Sequence, residues 1–205
     1  MKTRIMLWAA CLLLFLLPAA VKAQSAEKEM IENAFALYNN QSGNCTACPG
    51  TAANDKISTT LNGLVDYFNG KNSYPGFAQV GKEASGHYLT LLASGRISDA
   101  AVNRTMELMY TEVLRQNADP EAYASFYDKL SYRQKGKQVY GTIINVDCIT
   151  CGSDKRVFTV VPLADEANVD KMRKKIGLDK TLAQSLAAYK ETFEKMYGFS
   201  KKDCR

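Results

Sequence analysis

Histidine occurs once in this 205-residue chain, as His87, and tryptophan once, as Trp8. A single imidazole excludes metal centres built from several histidines, and there is no His-Glu-x-x-His run. The Gly-x-Ser-x-Gly turn that exposes a hydrolase serine is also missing, as is the full Gly-x-x-x-x-Gly-Lys-Ser/Thr loop that cradles nucleotide phosphates, since "GFAQVGK" at 76–82 is followed by Glu83. After residue 17 no apolar run approaches the ~18 residues that a membrane-spanning helix needs. A concentrated basic face is lacking as well. The formal charge is +5, and the densest basic run, "KMRKK" at 171–175, fits a solvated helix face, which argues against nucleic acid as a partner.

What is present begins with a leader. Lys2 and Arg4 precede thirteen apolar residues, 5–17, followed by Pro18 and a small-residue Val21-x-Ala23 site, the pattern of a secretory signal peptide cleaved after Ala23. The run is too short for an anchor, and Trp8 argues against a lipid attached at Cys11. Cleavage removes Lys2, Arg4 and Lys22 and no acid, so the formal charge falls from +5 to +2. Residues 24–205 are expected to form one exported domain, periplasmic or extracellular, with no membrane span.

That domain reads as α+β, predominantly helical with one small antiparallel β-hairpin. Ile57, Leu61, Leu64, Val65 and Phe68 recur at helical spacing, as do Val80, Ala84, Tyr88, Leu91 and Leu92. Val102, Met106, Met109 and Val113 mark a third helix with Ser98 as its cap. Asp119-Pro120 opens a fourth, with Tyr123, Phe126, Tyr127 and Leu130 on one side. Leu182, Leu186, Tyr189, Phe193 and Met196 form the cleanest amphipathic stripe. Two β-rich segments, 137–146 and 156–163, predict the hairpin, with its loop at 147–155. A helix over 165–176 should then pack back on it. The segment 42–54 reads as a loop.

The fourth helix and the hairpin also carry a likeness. "YDKLSYRQKGKQVYGT" followed by "PLADEANVDKMRKKIGL" resembles a widespread bacterial family of domains of unknown function. In that family an Asp-Arg pair ending a helix leads to Gly-x-x-Gln-x-Tyr-Gly-Thr and then to Pro, Val-Asp-x-x-Arg and Gly-Leu. Asp128, Gln138, Tyr140, Gly141, Thr142, Pro162, Val169, Asp170, Arg173, Gly177 and Leu178 fall in step, within a likeness that spans about 74–189 and has "YPGFAQVGKEAS" at its upstream edge. Lys129 stands in the family's Arg position. Ala93 and Ser94 stand where many members have Gln-His, and the cysteine pairs are additions. The resemblance implies no known activity.

Two groups of residues could carry chemistry. Gln138, Tyr140 and Thr142 alternate, so a strand would turn all three to one face, where Asp128 could act as a base and Arg173 could hold a carboxylate or phosphate. These five are the catalytic candidates of a hydrolase-like enzyme. The plainer reading, and the preferred one, is that they satisfy buried backbone groups. His87 beside the Tyr88 stripe reads as a packed or edge residue.

The second group is Cys45, Cys48, Cys148 and Cys151, from "NCTACPG" and "VDCITCGS". Two such knuckles can complete the shell of one structural zinc, whereas an oxidising compartment would turn the same four into two disulfides. Both alternatives close the N-terminal loop on the hairpin. A thioredoxin-like redox role is weaker because neither pair sits in a βαβ unit. Haem attachment fails because Pro49 and Gly152 stand where histidine is needed. Cys204 is left over, and no other cofactor is expected. The sequence leaves open whether the protein is an enzyme. Its expected partner is an unidentified small molecule or an envelope component.

Overall fold

The computed structural model describes residues 26–40, 52–148 and 156–196. The leader, Cys45, Cys48, Cys151 and Cys204 lie outside these residues. The protein is α+β, with eight helices among the described residues and a single two-stranded antiparallel sheet. The chain divides into two compact units, Met1–Glu112 and Val113–Arg205.

The first unit holds α1 (26–40), α2 (Ala52–Gly70), α3 (Phe77–Val80), α4 (Lys82–Leu92) and most of α5 (Asp99–Leu114). The predicted stripes of α2, α4 and α5 are buried, and Phe68, Tyr74 and Tyr88 meet edge to face at 5.2 and 5.6 Å. Ser98 caps α5 as expected, its hydroxyl accepting from Ala101 N at 3.3 Å. The stripe that begins at Val80 belongs to two helices. Gly81, at φ +85°, closes α3 with its N–H on Phe77 O before α4 begins.

Glu27 ties α1 into this unit. Only 7% exposed, it accepts from Tyr67 Oη at 3.1 Å, from Lys71 Nζ at 2.9 Å and from Gln79 Nε2. Burial pushes its pKa up, but the hydrogen bonds from Gln79, Lys71 and Tyr67 and the Lys71 charge outweigh it, so the net direction is down. The unfolded chain therefore binds this proton more readily than the folded one. The contribution is present above the ordinary carboxylate range, near pH 4.3, and is lost as pH falls through the lower folded value. Glu27→Gln should accordingly flatten the acid limb of a stability-versus-pH curve and leave its neutral-to-alkaline shape unchanged, as urea midpoints measured across pH will report.

The second unit holds α6 (Pro120–Lys135), β1 (Ile144–Cys148), β2 (Arg156–Val160), α7 (Val169–Lys175) and α8 (Leu182–Met196). Asp119 caps α6 by accepting from Glu121 N and Ala122 N, and Pro120 occupies the first turn, where no N–H is needed. Tyr123 and Leu130 are buried on its inner side. Gly136, left-handed at φ 67°, ends the helix with its N–H on Tyr132 O.

Three expectations change here. The first strand starts at Ile144 and not at 137, so Gln138, Tyr140 and Thr142 precede it. Gly141, at φ +73°, breaks the pleat, and the N–H groups of this segment turn to side chains instead of a partner strand. Gln138 makes only an isolated parallel bridge to Leu163. The second strand stops at Val160, short of Pro162, which has no N–H to pair. Helix α7 is shorter than predicted, starting at Val169 after Asp165 has accepted from Asn168 N.

The α8 stripe is only half covered. No residue of this helix is buried, and Tyr189 and Met196 are 39% and 66% exposed. Phe158 of β2 meets Tyr189 and Phe193 edge to face at 6.1 and 5.6 Å.

Candidate functional site

Asp128 faces inward from α6 and is 0% exposed. Just past the left-handed turn at Gly136 the chain returns across the end of α6 and offers its N–H groups to that carboxylate. Oδ1 accepts from Val139 N at 2.7 Å and Tyr140 N at 2.9 Å; Oδ2 accepts from Thr142 N at 2.9 Å and Thr142 Oγ1 at 2.8 Å. Four donors occupy the carboxylate's acceptor sites.

Gln138, also 0% exposed, staples the same segment to the start of the hairpin. Its Nε2 donates to Ile143 O at 3.0 Å and Val161 O at 2.8 Å, and its Oε1 accepts from Ile143 N at 2.8 Å. The Gln138 backbone donates to Pro162 O and accepts from Ala164 N. Side chain and main chain thus hold 138, 143 and 161–164 together.

Arg173 reaches the segment from α7. At 4% exposure, it donates through Nη1 to Tyr140 O at 2.7 Å, through Nε to Lys180 O at 2.8 Å, and through Nη2 to Ser185 Oγ. Burial lowers its pKa from the usual value, and the carboxylates of Asp170, Asp128 and Glu121 pull the other way. Arginine starts so high that it remains a cation. Asp128 and Arg173 do approach the Gln138–Thr142 segment from two sides. They share the Tyr140 peptide, with Asp128 on its N–H and Arg173 on its carbonyl.

Tyr140 is 3% exposed, and its ring sits edge to face with Tyr123 and Tyr127, 5.9 Å from each. A Cβ on Gly141, at φ +73°, would lie 2.5 Å from Leu182 Cδ1, so any side chain there would be strained and would push the leucine tip aside. Residues outside the five catalytic candidates complete the arrangement. Ser131 Oγ donates to Lys137 O at 2.8 Å, Ser185 receives Arg173, and Asp170 Oδ1 accepts from Leu182 N at 2.7 Å. The Val-Asp-x-x-Arg pattern names Asp170 and places it one turn from Arg173; nothing local marks either serine.

His87, in the first unit, stands at an edge. Its ring stacks on Phe35 with centroids 3.8 Å apart, and its Nδ1 lies 3.0 Å from Glu32 Oε2. Of the cysteine set, Cys148 ends β1 in register with Arg156; the other three lie outside the described residues.

Fold and site together define a mainly helical α+β protein whose second unit is organised by a buried Asp128–Gln138–Arg173 lock. Comparison with known protein families, curated proteins and solved structures returns no match. Among the described residues no helix is long and apolar enough to cross a membrane.

Proposed function

We propose that this is an exported binding or cell-envelope module, processed after Ala23, whose hairpin is closed by Cys45, Cys48, Cys148 and Cys151 through one zinc ion or two disulfides. The observation that favours a binding module over a hydrolase-like enzyme is the commitment of Asp128, Gln138 and Arg173 to internal hydrogen bonds. A general base must come within about 3 Å of a substrate proton, and a fully buried carboxylate with four donors has no acceptor site left for one. The cysteine part rests on the repeated Cys-x-x-Cys spacing and on the hairpin itself. A two-stranded hairpin is marginal in water, so a cross-link or metal at its loop would compensate for the missing third strand.

Protein recovered from its native compartment tests the reading in one preparation. A mass beginning at Gln24, with either one zinc per chain or four of the five remaining cysteines oxidised between the two pairs, is the expected result. Retention of Met1 would remove the export argument. Disulfides within each Cys-x-x-Cys, found by peptide mapping, would replace closure with a thiol-disulfide redox role.

A further inference from the structure

The basic run 171–175 is split by the fold. Arg173 turns inward to the lock, while Lys171 and Lys174, one helical turn apart, line the same cleft. Gly177, at φ +85°, reverses the chain after α7, so that Leu178 is buried and Lys180 comes round to the cleft as well. The resulting cavity, about 570 Å³, is bounded by Asp170, Lys171, Lys174, Gly177, Leu178, Asp179, Lys180 and Thr181. That volume is in the range of small-molecule sites.

We propose that this cleft binds a small, soluble phosphorylated molecule. Lys171, Lys174 and Lys180 have no carboxylate partner among the described residues. The lining holds three ammonium groups against two carboxylates, Asp170, whose Oδ1 accepts from Leu182 N, and Asp179, which leaves it net positive. Three lysines on flexible stems around one cleft suit a multivalent anion whose oxygens need no fixed planar fork, which is the chemistry of phosphate rather than of a single carboxylate. The inference does not depend on the export or cysteine readings, since it uses only the second unit's described residues.

Inorganic diphosphate is the probe. Calorimetry on the purified protein at low ionic strength should show saturable one-site binding that weakens as salt is raised. Lys171→Gln with Lys174→Gln should weaken it by about tenfold or more, because charge-assisted hydrogen bonds to the anion are lost. The exposed lysines Lys129 and Lys137 of the same unit serve as controls, and their glutamine variants should bind diphosphate unchanged. Unfolding midpoints should be equal for all variants, so that lost binding is not lost folding. Absence of saturable binding, or binding indifferent to the Lys171 and Lys174 changes, would overturn the proposal. So would binding to vesicles containing phosphatidylglycerol without binding to diphosphate, which would assign the cations to a lipid surface instead.

Discussion

Asp128→Ala is expected to cost about 3–5 kcal/mol of folding stability, the largest loss from any single side chain of the lock. The substitution removes an acceptor from three main-chain N–H groups and one hydroxyl at once. An unpaired buried donor costs about 1–3 kcal/mol, and breaking one side of a buried charged network about 3–5 kcal/mol. Since total stabilities are about 5–15 kcal/mol, the variant could fall below the threshold for folding, so Thr142→Val provides the graded measurement. It removes only the Oγ1–Oδ2 bond and should cost about 1 kcal/mol. Urea denaturation monitored by circular dichroism reports both. If Asp128→Ala lost less than about 1 kcal/mol, Asp128 would not be a structural acceptor, and the enzyme reading of this cluster would regain its force.

Arg173→Lys is expected to destabilise the protein by about 2 kcal/mol although the charge is kept. The guanidinium reaches Tyr140 O, Lys180 O and Ser185 Oγ in three directions from one plane. An ammonium group on a different stem can meet one of these with good geometry and leaves the other acceptors short. Arg173→Ala should be worse, about 3 kcal/mol, because the Asp128 carboxylate then loses the opposite charge of the guanidinium as well. Equal stability of the lysine variant and the native chain would mean that only the charge matters at this position. Hydrogen exchange offers a second readout, since the first turn of α8, held through Ser185 and Leu182, should lose protection before the centre of α6 does.

Helices were the most legible feature of the chain because their signal is local. The Ile57-to-Phe68 and Val102-to-Val113 stripes needed only a period of 3.6 to be found, and Ser98 and Asp119-Pro120 announced their starts through the chemistry of unsatisfied N–H groups. The hairpin's existence and antiparallel pairing were legible for a similar reason. Its beginning was not. Residues 137–143 have strand-like composition, but the alternation of Gln138, Tyr140 and Thr142 describes a pleat that Gly141 breaks, and the N–H groups that would pair along a ladder go to Asp128.

By itself, the sequence determined that this is a mainly helical α+β chain with one hairpin, and it narrowed the polar residues of interest to Asp128, Gln138, Tyr140, Thr142 and Arg173. Only the tertiary structure decided that these residues form an internal lock, because the positions of acceptor and donor, eleven to fourteen residues apart for Asp128 and thirty-three for Arg173 and Tyr140, depend on how α6, the turn and α7 come together. The same holds for the half-covered face of α8 and for the lysines of the cleft. Periodicity shows which side of a helix is apolar or charged, but not how much surface a neighbouring element brings to meet it.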